Sequence, residues 1–339
     1  MHHPAARIGE GILFDDRWVG PHGIGRYADE LLHRIPGFVT VPHSLRKLHP
    51  LEPLWLSAVV ARAHARAYFT PGFNPPLFSK IPVILTVHDL NHLYVMDNSS
   101  VIRRSYYRLV VRPGCLKAFR VLTVSEFSRA QILDWTGLPE ERVVKVGCGI
   151  SESFTPTGGA HEPGFPYVLY VGLRAVHKNI PRLIQAFARA RIDRSIHLLF
   201  TGDVDAVLVE MAEGLGCADR IAFAGFPRDH ELAEIYRGAL ALAMPSTFEG
   251  YGLPAVEAMA CGTPALVSRV GGLAEACGNA GFAIEPDSVD SISDGLERIV
   301  SDMSLRAELR ARGLAWAANF PWSHTAARVA AVLAELPLR

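Results

Sequence analysis

Cysteine is scarce in this 339-residue chain. There are five (115, 148, 217, 261 and 277), an odd number, scattered and never spaced C-x-x-C. That pattern speaks against a zinc ribbon or a disulfide framework and fits reduced thiols in a cytoplasm. No run approaches the ~18–20 apolar residues that span a bilayer. The first residues, MHHPAARIGEG, lack the basic-then-apolar layout of a secretory signal. Internal repeats and low-complexity tracts are absent, as are G-x-S-x-G, H-E-x-x-H and a P-loop. What remains is an ordinary globular composition, 49% hydrophobic and 20% charged. Its length suits two domains of roughly 150 residues.

Net charge is also lacking, 34 Lys and Arg balancing 34 Asp and Glu, but the balance is not local. Residues 1–150 hold 18 basic against 12 acidic side chains, and residues 151–339 hold 16 against 22. Two halves of opposite sign predict two domains with different partners. The basic excess concentrates in VIRRSYYRLVVRPGCLKAFR (101–120), with six Lys or Arg and no acid. Read as a helix up to Pro113, it sets Arg103, Arg104, Arg108 and Arg112 on a surface with Tyr106 and Tyr107. Such a surface is either a solvated helix face or a patch for anionic lipid headgroups or a phosphate-bearing acceptor. No nucleic-acid motif accompanies it, so nucleic acid is not an expected partner.

Short apolar runs alternate with helical stretches along the chain. In the first half GILF (11–14), AYFT (67–70), PVILTVH (82–88), RVLTV (120–124) and RVVKV (142–146) read as strands. Helices are expected at 24–35, in the basic segment and at 125–137, the last with Ser125 as N-cap and Gly137 as stop. SESFTPTGGAHEPGFP (151–166) has no periodicity and reads as a linker. A second alternation follows, with strands at 167–172, 196–202, 220–226, 241–246 and 263–268 and helices between them. The tail reads as helices interrupted at Pro321. The expectation is an α/β chain of two Rossmann-like, doubly wound domains with a cleft between them, 1–155 and 156–318, and a final helix over 319–339. Ligands of such sheets bind beyond the carboxyl ends of the strands, so function is sought in the loops that follow them.

One such loop opens TFEGYGLPAVEAMACG (247–262). Glu249 sits in it, and Glu257 lies one turn beyond Leu253 in the helix that follows, with Pro254 in the first turn. Gly250 and Gly252 let the backbone approach a ligand, and the helix N-terminus offers N–H groups to an anion. A phosphate held there would lie between two carboxylates able to bind hydroxyls on either side, the layout of a nucleotide sugar. The alternative is a capped helix with a surface glutamate. In YVGLRAVHKN (170–179), Lys178 follows a strand, with Arg174 and His177 nearby. Cations there would oppose the charge that builds on a leaving diphosphate, or serve only solubility. The glycines of GPHGIG (20–25) follow the first strand, but G-x-G-x-x-G is absent and no acid follows at the expected place. His88 and Asp89 end another strand, where a core histidine is the simpler reading. GDVD (202–205) spells the D-x-D metal signature, yet acids are favoured at a helix start in any case, and no metal is expected.

Together HGIGRYADELL, VHDL, VSEFSRAQI, VGLRAVHKN, EGYGLPAVEAMACGTPALVS and GGLAEACGNAG resemble the retaining glycosyltransferases of family 4, with the GT-B fold. The match runs in order over nearly the whole chain, and E-x7-E with its glycines is its most specific element. The resemblance implies that Glu257 holds the donor ribose, that Glu249 contacts the transferred sugar and places its anomeric carbon, and that Lys178 sits on the diphosphate. It places His88 near the donor sugar and Gly23, Gly25 and Tyr27 on the phosphate and acceptor-side loop. Gly172, Gly225, Phe226, Gly250, Tyr251, Gly252 and Leu253 then line the donor, the nucleobase packing near Phe226. Many members carry an arginine directly after the strand glycine or before the lysine. Here those positions hold Leu173 and His177, and Arg174 is one place displaced.

The implied chemistry is transfer with retention, without metal or cofactor, assisted by domain closure. The G-I-G-R-Y and V-H-D-L variant resembles bacterial mannosyltransferases of O-antigen, capsule and exopolysaccharide assembly. It implies GDP-mannose as donor, a saccharide or lipid-linked saccharide as acceptor, and work in the cytoplasm, peripheral to the inner face of the membrane. A UDP-hexose donor is the runner-up. A nucleotide-sugar epimerase of the same fold would act without an acceptor, and a non-catalytic scaffold would have little use for both glutamates and the lysine.

Overall fold

The computed structural model describes residues 11–95 and 100–337. Residues 1–10, read above for a secretory signal, lie outside the described residues. The chain forms two compact units. One runs up to Gly149 and resumes at Trp322; the other is Ile150–Pro321.

The first unit is built on a parallel sheet of order β2-β1-β3-β4-β5-β6. Its strands are β1 (Ile12–Phe14), β2 (Val39–Thr40), β3 (Ala67–Thr70), β4 (Val83–Thr86), β5 (Arg120–Thr123) and β6 (Val143–Lys145). β1, β3 and β4 are buried along their whole length, which is why they read as continuous apolar runs and not as alternation. β2 escaped the sequence reading because it is two residues long and exposed. The helices are α1 (Gly23–Arg34), α2 (Glu52–Arg62), α3 (Asn91–Tyr94), α4 (Val101–Tyr106), α5 (Arg112–Lys117) and α6 (Glu126–Thr136). The ends of α6 follow its sequence: Ser125 Oγ accepts the Ser128 N–H, and Gly137 adopts φ +71°.

The basic segment departs from expectation at Pro113. The helix does not stop there, because a π-helical turn over Tyr107–Val111 joins α4 to α5 and the Arg112 N–H bonds Tyr107 O. Pro113 then falls in the first turn of α5, where its missing N–H costs nothing. The turn also corrects the surface. Tyr107 is buried against Phe73 and Trp135. Arg112 donates from Nε to Trp135 O at 2.9 Å and so caps α6. Among the four arginines expected to share a face, Arg103 and Arg108 are exposed and Arg104 is half-buried.

The second unit carries a parallel sheet of order β12-β11-β10-β7-β8-β9. The strands are β7 (Tyr167–Tyr170), β8 (His197–Phe200), β9 (Ile221–Phe223), β10 (Ala241–Met244), β11 (Ala265–Ser268) and β12 (Phe282–Ile284). Its helices are α7 (Ile180–Arg189), α8 (Ala206–Gly214), α9 (Asp229–Gly238), α10 (Leu253–Ala260), α11 (Gly271–Cys277), α12 (Val289–Ser301) and α13 (Met303–Ala317). Alternate strand residues feed two cores. Phe187, Phe200 and Leu296 belong to one, and Leu169, Tyr236 and Met259 to the other. Strand order reverses between β7 and β10, the topological switch point at which such sheets bind ligands.

The segment read as a linker belongs to this unit. Phe154 is buried edge-on to Tyr236 at 5.8 Å, the His161 N–H bonds Glu234 O, and Arg237 Nε donates to Gly159 O at 2.6 Å. Its Gly and Pro content concealed these anchors. The last helix, α14 (Trp322–Ala334), packs on α1 in the first unit, with Trp322 fully buried near Tyr27.

Candidate functional site

The loops after β7 and β10 meet because those strands are hydrogen-bonded neighbours, Leu169 opposite Leu242. The first loop is short. After Gly172 the chain makes a 3-10 turn over Val176–Lys178, and Asn179 takes a left-handed conformation, φ +60°. Asn179 is buried and donates from Nδ2 to Pro245 O at 2.9 Å and Pro286 O at 2.7 Å. The Thr247 N–H bonds His177 O at 2.7 Å. The His177 side chain is itself buried, and its backbone carbonyl holds the two loops together.

These clamps bring together two residues 71 apart in sequence. Lys178 Nζ donates to Glu249 Oε1 at 2.7 Å, with side chains 16% and 9% exposed. Ser246 Oγ donates to the same oxygen at 2.7 Å. Neither Ser246 nor Asn179 stood out in the sequence; only their adjacency to Glu249 and Lys178 could have marked them. The loop then closes onto α11. The Gly272 N–H bonds Glu249 O at 2.8 Å, and a Cβ on Gly272 would strike the Gly250 carbonyl. Gly252, at φ +116°, starts α10 in a conformation that L side chains avoid. Tyr251 is buried beside it and Leu253 is half-buried.

Glu257 is not a surface glutamate. Its side chain is buried on α10, and Tyr236 Oη of α9 donates to Oε2 at 3.1 Å. Charged side chains are rarely buried to this degree without a chemical reason. Arg174 takes a different partner from Lys178. It ion-pairs with Asp205 Oδ2 at 3.1 Å, donates to Asp203 O at 3.0 Å, and lies over the Phe223 ring at 5.7 Å. Asp205 also accepts from Val207 N–H as the cap of α8. The D-V-D sequence is therefore a helix cap that anchors an arginine. Gly225, φ +65°, accepts from the Gly202 N–H, and Phe226 beside it is 78% exposed.

His88 follows β4, its Nε2 lies 2.8 Å from Pro71 O, and its ring meets Tyr27 edge-on at 4.9 Å. A carbonyl can only accept, so Nε2 carries the proton and Nδ1 is left as an acceptor. Burial pushes the imidazole down to about 4. Tyr27 is fully buried between His88 and Trp322 and is a core residue, not a loop-lining one. Gly23 opens α1, and Gly25 is buried tightly on Gly20, its N–H bonded to His22 Nδ1 at 2.9 Å.

The lowered His88 value has a consequence for stability. In the unfolded chain His88 takes a proton near pH 6.5, and in the folded protein only near 4. Between those values the unfolded state binds more protons, so the contribution is complete above pH 6.5 and is lost as pH falls towards 4. The thermal midpoint of a His88→Asn variant should accordingly fall less than that of the wild type from pH 6.5 to 4. Parallel curves would show that His88 is not held neutral.

Comparison with known proteins accounts for both units. Residues 16–154 match the family model described as Glycosyltransferase Family 4, and residues 156–316 match Glycosyl transferases group 1. O-antigen chain mannosyltransferase B of Escherichia coli is 30% identical over 294 residues, covering 82% of this chain and 76% of that one. D-inositol 3-phosphate glycosyltransferase of Stackebrandtia nassauensis is 42% identical over 121 residues, 35% of this chain and 27% of that one. Sucrose-phosphate synthase from Thermosynechococcus elongatus superposes with a TM-score of 0.81 at 22% identity, over 96% of this chain and 99% of that one. With both of its units matched, and the Lys178–Glu249 pair set where two neighbouring strands end, the chain belongs to the family 4 glycosyltransferases of GT-B fold.

Proposed function

We propose that this glycosyltransferase moves mannose from GDP-mannose, with retention and without metal, to a saccharide or lipid-linked saccharide in cell-surface polysaccharide synthesis. The observation that carries the reading is the Lys178–Glu249–Ser246 cluster at the switch point of the second unit. A donor diphosphate at that point would draw Lys178 Nζ from Glu249, and Glu249 would then accept from hydroxyls of the hexose. Lys178 and backbone N–H groups stabilise the charge that grows on the leaving diphosphate. Glu249 is held by a lysine and a serine, which makes it a poor nucleophile. Retention is therefore assigned to attack by the acceptor on the face the diphosphate leaves, through an oxocarbenium-like transition state. Asp205 is already committed to Arg174 and to capping α8, so charge neutralisation falls to lysine and backbone. The mannose assignment is supported by the O-antigen mannosyltransferase relative.

Placement in the cytoplasm, peripheral to the inner face of the membrane, belongs to the same proposal. It is supported by the five cysteines, all free and buried. Among the described residues no helix is long and apolar enough to cross a membrane.

The test is a thermal-shift comparison of GDP-mannose, GDP, UDP-glucose and UDP, followed by turnover with the anomeric configuration read by NMR. GDP-mannose should raise the midpoint most, and turnover should survive EDTA. Stabilisation by UDP-glucose alone would overturn the donor. Activity lost in EDTA and restored by Mn²⁺ would overturn metal independence.

A further inference from the structure

The two carboxylate oxygens of Glu249 are bound unequally. Oε1 accepts twice, from Lys178 Nζ and from Ser246 Oγ, both at 2.7 Å. Among the described residues none donates to Oε2. The side chain is only 9% exposed, and a carboxylate oxygen that deep is costly to leave without a donor. Oε2 is thus the oxygen free for a ligand hydroxyl, and the donors on Oε1 decide where it points.

Those two donors are anchored differently. Lys178 ends a 3-10 turn, and its ammonium rides on a flexible four-carbon stem. Ser246 is fully buried two residues past β10. Its own carbonyl accepts from Ser268 Oγ at the end of β11, and the Pro245 carbonyl before it accepts from Asn179 Nδ2 at 2.9 Å. A short hydroxyl on backbone fixed at two successive carbonyls does not follow a moving partner. A diphosphate carries more negative charge than one carboxylate and would draw the ammonium away. The serine stays.

We infer that Ser246 is the positioning residue for Glu249 in the donor complex. It keeps Oε1 when Lys178 moves to the diphosphate, and so keeps Oε2 turned to the hexose. The inference rests on the reading that Glu249 faces the donor sugar, and adds which oxygen is used and what aims it. The terminal torsion of a glutamate has broad, roughly two-fold wells. Without the serine, the carboxylate would lose its aim at the step where the lysine has left.

The test is Ser246→Ala, which removes a single oxygen atom, alone and combined with Glu249→Ala. In the donor-free protein Lys178 still holds Oε1, so the single variant should fold and melt in one cooperative transition. Turnover of GDP-mannose or UDP-glucose, whichever is the donor, is read as release of the nucleoside diphosphate. Its kcat should fall about tenfold to a hundredfold, the loss that follows a small misplacement of a positioning group. The Kd for the matching diphosphate, GDP or UDP, should stay within about twofold of wild type. Added to Glu249→Ala, Ser246→Ala should lower the residual kcat no further, because no carboxylate is left to aim. Wild-type kcat in Ser246→Ala would overturn the proposal. So would an equal loss in the Glu249→Ala background, or a parallel loss of diphosphate affinity, since either makes the serine a support of the loop and not of the carboxylate. The two levels separate cleanly: normal kcat in Glu249→Ala would remove the reading of Glu249 itself. An impaired Glu249→Ala beside an intact Ser246→Ala would remove only the role of the serine.

Discussion

Replacing Lys178 with Ala is expected to lower kcat about 10²–10³-fold or more, the usual loss when a preorganised group facing developing negative charge is removed. Glu249→Ala should be comparably damaging, because the carboxylate proposed above to accept from the hexose hydroxyls is lost. The ion pair adds a second consequence. Lys178 and Glu249 satisfy one another at 2.7 Å in a mostly buried setting, so either single substitution strands a charge. The cost should be about 1–2 kcal/mol, below that of breaking a fully buried pair because some solvent remains. Removing both residues should cost less than the sum of the singles, since neither charge is then left alone. Activity should not follow that pattern, for no double variant can restore the cation. Chemical denaturation of the three variants beside their kcat values separates the two effects. If kcat recovers in the double variant along with stability, the lysine is structural; near-normal kcat in either single variant would remove the mechanism.

The sequence reading located Lys178 and Glu249 at strand ends but could not see that they pair. Their meeting depends on β7 and β10 being neighbours and on Asn179 pinning one loop to Pro245 and Pro286. Neither fact is local. Most strands were legible because burial on both faces writes an apolar run, whereas β2 and β12, short and wholly or partly exposed, write nothing. Caps were legible for the same local reason, as with Ser125 and Gly137. Pro113 misled because a proline ordinarily ends a helix, and the π turn that accommodates it has no sequence signature. Charge misled at Arg112, which spends its guanidinium on the end of α6. What D-V-D holds was not legible: its second aspartate caps α8 and also pairs with Arg174, the arginine that looked displaced. The spacing of Glu249 and Glu257 was visible, but the burial of Glu257 against Tyr236, 21 residues upstream, was not.

That burial sharpens what Glu257 should do. A carboxylate this deep on α10, receiving one hydrogen bond from Tyr236, is built to accept hydrogen bonds and is poorly placed to exchange charge with solvent. In the role that the family resemblance implies, it would bind the ribose hydroxyls, which take no part in bond breaking. Its interaction should then be equal in ground and transition states, and its loss should appear in KM and not in kcat. Hydrogen bonds to a charged acceptor contribute about 1.5–3 kcal/mol. Glu257→Gln keeps an acceptor oxygen for Tyr236 and should raise the KM and Kd for the donor about tenfold. Glu257→Ala should raise them about a hundredfold and also destabilise the fold by about 1–3 kcal/mol, because the buried Tyr236 hydroxyl loses its acceptor. Tyr236→Phe separates the two contributions, since it leaves the carboxylate in place and should shift donor affinity only a few-fold. Calorimetric titration with GDP-mannose and with GDP gives the decisive comparison. The Glu257→Gln penalty should be the same for both ligands, because both carry the ribose. For Glu249→Ala the penalty should fall on GDP-mannose alone. A Glu257→Gln enzyme with unaltered GDP affinity and a depressed kcat would move this residue from the nucleotide to the chemistry.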